Sequence, residues 1–371
     1  MSKSATLFTF TIVSLLTIVI FTSVCRAADE PNAAKGTDPA SPKGYAEASP
    51  FKMNQLLGRG VNLGNAFDAP SEGEWGVVIQ EEYFQIIKDA GFGSVRLPVR
   101  WSAHALSAPP YTINPEFMKR VDWAVNCALS RKLPIMLNVH HYGELYADPV
   151  KEKERFLALW KQIAEHFKDC PDILVFELLN EPQKELRAGP WNEQLKEALA
   201  VVRQSNPNRT IVIGSAHYNQ IHYLDLLDIP KEDRNIIVTV HDYFPLTFTH
   251  QGAAWLSRGD PNDWLGTKWT GTEDEKQEVI RDLDFAAAWA KKNNRPINLG
   301  EFGAYEKADM DSRARWTKFL ADAAIERGFS FHYWEFCANE FGLYDQKAKT
   351  FRKPLLEAVL PPAVSKVELP K

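Results

Sequence analysis

Cysteine is scarce in this chain: four residues in 371, none in a C-x-x-C pair, which removes the common zinc and redox signatures. With an N-terminal leader set aside, Cys127, Cys170 and Cys337 remain, an odd set that admits at most one disulfide and leaves at least one thiol free. Positive charge is not in excess. Lys and Arg number 43 against 48 Asp and Glu, giving a net charge of -5 and a pI near 6.0, so there is no basic footprint for DNA or RNA. The G-x-G-x-x-G turn of a dinucleotide-binding sheet is missing after the first apolar run. No His-x-His ends such a run with an Asp placed to complete a ligand set, so neither a metal nor a cofactor is expected.

Only one long apolar run exists, and it lies at the start. Leu7 to Val24 is almost wholly apolar, preceded by Lys3 and followed by Arg26-Ala27-Ala28, the pattern of a secretory leader. Residues 1–28 are therefore expected to be a signal peptide and the protein secreted or periplasmic; an uncleaved membrane anchor is the alternative, because the run nears the length of a membrane span. Residues 29–50, rich in Ala, Pro, Ser, Lys and Asp without apolar periodicity, read as a disordered linker, which leaves 51–371 for one folded domain. Asn208-Arg209-Thr210 fits the glycosylation acceptor pattern, which matters only in a eukaryotic host.

What the chain has in plenty is alternation. Apolar runs at Gly60–Leu63, Ser94–Val99, Pro134–Val139, Ile173–Leu179, Thr210–Ile213, Ile236–Val240, Pro296–Leu299 and Ser330–Trp334 read as buried strands. Amphipathic segments at Glu81–Ala90, Pro115–Arg131, Lys151–Lys168, Trp191–Ser205, Asp274–Asn293 and Asp311–Arg327 read as helices between them. Eight such strands predict an α/β fold, a single (β/α)8 TIM barrel, whose active site is built at the C-terminal ends of the strands. Polar residues do collect there: Asn62 and Asn65 after the first run, Arg96 in the second, His140-His141 after the third, Asn180-Glu181 after the fourth, His241 and Tyr243 after the sixth, Glu301 after the seventh and Trp334-Glu335 after the eighth.

Two of these are carboxylates, Glu181 in Leu179-Asn180-Glu181-Pro182 and Glu301 between Gly300 and Phe302-Gly303. A glutamate half desolvated at a barrel mouth keeps its proton to higher pH, and paired with an ionised partner it suits glycosidic-bond cleavage. An Asn-Glu-Pro after an apolar strand with a later Gly-Glu-Phe-Gly resembles the cellulase family of retaining glycosidases, glycoside hydrolase family 5. The resemblance extends through Gly60-Val61-Asn62-Leu63-Gly64-Asn65, Ser94-Val95-Arg96-Leu97-Pro98-Val99, Leu137-Asn138-Val139-His140-His141, Val240-His241-Asp242-Tyr243 and Phe341-Gly342-Leu343-Tyr344-Asp345, and so over nearly all of 58–360.

That resemblance implies an endo-β-1,4-glucanase-like catalytic domain acting on a cellulose-like glucan, xyloglucan or mixed-linkage glucan, with a β-mannanase, an exo-acting glucanase or a weakly catalytic polysaccharide-binding barrel as alternatives. It implies Glu181 as acid/base and Glu301 as nucleophile, with Arg96 and Tyr243 bonded to Glu301. Asn180 would hold the 2-hydroxyl of the sugar, His140 and His241 would line it, Trp334 would lie beneath it, and Asn65 would contact substrate. If the reaction retains configuration, the two carboxyl groups should stand about 5–5.5 Å apart, against roughly 6.5–9.5 Å for inversion. The loop 245–271 carries Trp255, Trp264 and Trp269, candidates for stacking on sugars, one of which is expected to pack the loop onto the barrel instead. Trp75 and Trp101 are further candidates of the same kind. The expected partner is the polysaccharide alone: no nucleic acid, no obligatory protein, and a monomer.

Overall fold

Short, nearly unbroken runs of Val, Ile, Leu and Phe are suited to a parallel barrel wall, one side against helices and the other filling the lumen. The computed structural model describes residues 49–256 and 259–360; the expected leader and nearly all of the expected linker fall outside the described residues. Eight parallel strands close in sequence order: β1 Arg59–Asn62, β2 Ser94–Leu97, β3 Ile135–Asn138, β4 Leu174–Glu177, β5 Ile211–Gly214, β6 Ile236–His241, β7 Ile297–Glu301 and β8 Ser330–Tyr333, with β8 pairing back onto β1. The predicted (β/α)8 barrel is what the chain forms.

The helices are α1 Pro50–Leu57, α2 Glu81–Ala90, α3 Pro115–Ser130, α4 Gly143–Ala147, α5 Pro149–His166, α6 Ala188–Ser205, α7 Leu246–Thr249, α8 Glu273–Asn293, α9 Met310–Glu326 and α10 Lys353–Val359. All six expected helices are among them. The largest displacement is the start of α6, at Ala188 rather than Trp191, because Ala188-Gly189-Pro190 carries no apolar signal although Pro fits a first turn well. Unexpected α1, α4, α7 and α10 are too short to show an apolar period. The main hydrophobic core fills the space between sheet and helices, and α8 is fixed at its start by a capping box in which Thr272 and Glu275 exchange hydrogen bonds.

The lumen has two halves. Met136, Val175, Val212 and Ile237, each the second residue of its strand, form an apolar floor with Met53 and Leu57 of α1, which plugs the N-terminal end of the barrel. Opposite them the floor is polar: Asn298 Nδ2 donates to Ser330 Oγ (2.7 Å), Ser330 Oγ to Asn54 Oδ1 (2.6 Å), Ser94 Oγ to the Leu57 carbonyl (2.7 Å), and His332 joins Ser94 and Asn298. Leu57 is wholly buried in this plug. Leu57→Ala should therefore cost about 2–5 kcal/mol in urea denaturation, whereas Leu56→Ala, at a position 41% exposed, should move the midpoint little.

Candidate active site

Above the floor several strands bring polar side chains toward the axis, and one of them organises the rest. Arg96, fully buried on β2, spends its guanidinium on four neighbours. Nε donates to Glu177 Oε2 (2.6 Å), Nη2 to Glu177 Oε1 (2.8 Å) and Asn180 Oδ1 (2.7 Å), and Nη1 to Asn62 Oδ1 (2.8 Å) and Glu301 Oε1 (2.7 Å). Asn62 in turn donates to the carbonyls of Gly300, His332 and Tyr333, stitching β1 to β7 and β8.

Glu301 ends β7 with both oxygens held: Oε1 by Arg96, Oε2 by the Tyr243 hydroxyl (3.0 Å). Burial raises its carboxyl above the ordinary glutamate value, while the Arg96 guanidinium opposes that rise. The glycines flanking it admit protein rather than substrate. A methyl group at Gly300 would lie 3.0 Å from His241 Nε2, and one at Gly303 would strike the Trp334 backbone.

Glu181 is carried differently. Strand β4 stops at Glu177, earlier than Pro182 would require, yet Leu178 N and Asn180 N still donate to the Val212 and Val139 carbonyls, so the chain stays in register to the rim. Glu181 then adopts left-handed backbone (φ 46°), a conformation that costs a non-glycine residue roughly 1–2 kcal/mol. Its side chain keeps 21% of its surface open, and Oε1 lies 2.8 Å from His241 Nδ1. Desolvation pushes the carboxyl up to about 7; Arg96 works against this and Glu177 with it. His241 is itself driven down to about 4 by burial and is neutral at ordinary pH. Its Nε2 lies 3.3 Å from Asn219 Nδ2; with that amide donating, Nδ1 carries the hydrogen that meets Glu181. Oxygens of Glu181 and Glu301 lie within 4.8 Å of each other.

The other expected residues are distributed around this pair. His140 is buried and bonded to Asn138, with its ring parallel to Trp334 at 5.8 Å between centroids. Trp334, joined to Glu335 by a cis peptide, lies over Gly64, where a methyl group would come within 2.8 Å of the indole. Asn180 uses Oδ1 on Arg96, leaving its amide nitrogen as the donor. Asn65, also left-handed, bonds Glu340 through Nδ2 (3.1 Å). Trp255 is 51% exposed at the rim and meets Tyr305 edge-on (4.8 Å); Phe341 packs against it and against Tyr243. Trp264 is half-buried and packs on Gly259 within its own loop.

Two expectations are corrected. Trp269 is 1% exposed and belongs to the outer helical layer, where it packs on Phe319 and borders a cavity of about 360 Å³ between α8 and α9 that is remote from the barrel mouth. Trp101 is likewise buried, its indole N–H donating to the Asn138 carbonyl (2.9 Å), while Trp75 is exposed beside His141. A tryptophan in a Gly- and Pro-rich loop carries no mark of which way it turns.

Sequence reasoning missed Glu177 and Asp68, and it placed Glu335 at a strand end without giving it a role. Glu177 had a signal: an acid within an otherwise apolar strand must meet a base, and Arg96 was the available one. Asp68 accepts from the backbone N–H groups of Asn65 and Ala66, and Glu335 from that of Cys337; burial lifts the first to about 6 and the second to about 8. Among the described residues, Asp68, His140 and His141 form one group close enough to surround an ion, and Glu181, His241 and Glu301 another. Asp68 and the second trio are already committed to the hydrogen bonds above, and we assign none of these residues to a metal. The two loop tryptophans should separate by stability: Trp269→Ala is expected to cost about 3–5 kcal/mol in urea denaturation, and Trp255→Ala, at the exposed rim, less than about 1 kcal/mol.

Comparison with known proteins agrees with this arrangement. The family model described as Cellulase (glycosyl hydrolase family 5) matches residues 57–340. Endoglucanase H of Acetivibrio thermocellus is 36% identical over 328 residues, covering 87% of this chain but 34% of that protein, so the chain spans about a third of this relative's length. Solved structures of Thermotoga maritima Cel5A, one in complex with mannotriose and one with cellobiose, are 52% identical, superpose with a TM-score of 0.82, and cover 84% of this chain and all of theirs. A closed barrel of eight parallel strands thus coincides with a family match over most of the sequence: the chain belongs to the cellulase family, glycosyl hydrolase family 5.

Proposed function

We propose that this protein is a secreted, retaining endo-β-1,4-glucanase that works by double displacement. The observation that carries the reading is the unequal treatment of two carboxyl groups whose oxygens lie within 4.8 Å of each other. Such closeness suits direct attack on the sugar and leaves little room for an intervening water. Glu301, gripped by Arg96 and Tyr243, is the anion that attacks the anomeric carbon. Glu181, lifted to about 7, is the proton donor to the departing oxygen. Because the Nδ1 hydrogen of His241 meets Oε1, the acidic hydrogen of Glu181 sits on Oε2, free to point at substrate. In the second step the ionised Glu181 takes a proton from water, which attacks the glycosyl ester and releases the sugar with its configuration kept.

The amide nitrogen of Asn180 is the donor available for the sugar's 2-hydroxyl, and Trp334 with His140 forms an aromatic wall beside it. Trp255 extends the apolar surface outward, which suits a polymer longer than a disaccharide. β-1,4-Glucan is the first substrate, supported by the endoglucanase relatives. β-1,4-Mannan is the second reading, favoured by the likeness to an enzyme solved with mannotriose.

Proton NMR of the first product released from a β-glucan should show the β-anomer, and an α-anomer would sink the double displacement. Activity should also trace a bell against pH. Glu181 must be protonated to act, so kcat/KM should fall as pH rises through about 7; Glu301 must be ionised, so the acid limb should lie above the ordinary glutamate value. Both limbs belong to the coupled pair. The two glutamates should fail differently. Glu301→Gln should abolish turnover on every substrate, whereas Glu181→Ala should lower kcat on glucan by about 10²–10⁴-fold yet spare glycosylation by dinitrophenyl cellobioside, with azide restoring the second step. Equal loss on the activated substrate, without azide rescue, would contradict the roles.

A further inference from the structure

The steps above leave Glu177 without a task, although it is fully buried at the centre of the site. It ends β4 four residues before Glu181 and faces Arg96 across the lumen, taking two of the five bonds that the guanidinium makes, with Oε2 on Nε and Oε1 on Nη2. Asn62, Glu301 and Asn180 take the other three, so every N–H of Arg96 is committed. A two-bond fork fixes the plane of a guanidinium as well as its position. We propose that Glu177 is a positioning residue for the reaction, holding the Nε/Nη2 edge of Arg96 so that Nη1 meets Glu301 and Nη2 meets Asn180, and dividing the single positive charge between two carboxylates.

The division matters because the surroundings supply no other strong charge. Burial keeps His241 and His140 neutral by lowering both, and it keeps Tyr146 and Tyr243 neutral by raising both. Tyr146 approaches from α4, with its hydroxyl on the Asn180 carbonyl (2.6 Å), and Tyr243 from beyond β6. Arg96, Glu177 and Glu301 are thus the fixed charges that Glu181 meets. Remove the charge of Glu177 and the full guanidinium acts on Glu301 and Glu181: the nucleophile becomes a weaker base and the acid loses its proton sooner. Glu177 acts through Arg96 and need not touch sugar.

The inference rests on the retaining reading, and its test separates the two. Glu177→Gln has nearly the same shape without the charge. Relative to wild type, both limbs of the kcat/KM profile on barley β-glucan should move to lower pH by about one unit. At the optimum, kcat should fall roughly ten- to a hundredfold with KM changed less than about twofold. Unmoved limbs in a variant whose circular dichroism matches wild type would overturn the proposal, because a merely structural contact changes the folded fraction and not the titration. Should Glu177→Gln fail to fold, Glu177→Asp decides. It keeps the charge but falls a methylene short of the fork, so the limbs should stay while kcat drops about tenfold; wild-type kcat in that variant would overturn it. Wild-type protein that leaves glucan intact, or yields the α-anomer, defeats the reading of function; an active, retaining wild type with indifferent Glu177 variants defeats only the role of Glu177.

Discussion

The guanidinium of Arg96 ties together the central polar residues of the barrel mouth. It is placed on the barrel axis by β2, and its partners come from β1, β4, the turn after β4, and β7, so one planar group sets the relative positions of strands far apart in sequence. A buried charge of this kind is costly unless fully paired. Here the pairing is complete, and the residues that achieve it are among those to which the proposed mechanism gives the chemistry.

Burial also explains how two glutamates in one lumen come to differ. Both are desolvated, which disfavours charge in each. Glu301 receives two direct donors, from Arg96 and Tyr243, whereas Glu181 receives one neutral donor and sits nearer the like charge of Glu177. The same barrel thus favours charge more on Glu301 than on Glu181, and the difference follows from which hydrogen bonds each strand end can reach.

Much of this was legible in the sequence because a parallel barrel writes its strands as unbroken apolar runs and its functional groups at their ends. Glu181, Glu301, His241 and Asn180 were found in that way. Glu177 was passed over since it lies inside a run, where the fully buried strand masks the alternation between wall and lumen. Helix α1 escaped because it is short and its apolar burial, through Met53 and Leu57, is against side chains from four distant strands. Trp269 and Trp255 share one loop and one chemistry, yet the former is held by Arg315 on its carbonyl and Phe319 on its ring while the latter lies open against Tyr305. Such outcomes are decided by long-range packing.

The plug at the floor has a mechanical consequence. Helix α1 enters beneath the barrel, and α10 finishes there as well, its Val359 carbonyl accepting a bond from Arg59 at the first residue of β1 (2.9 Å). The described unit therefore begins and ends on the face opposite its catalytic mouth. Anything attached at either end of the described unit would sit beneath the barrel and leave the rim open.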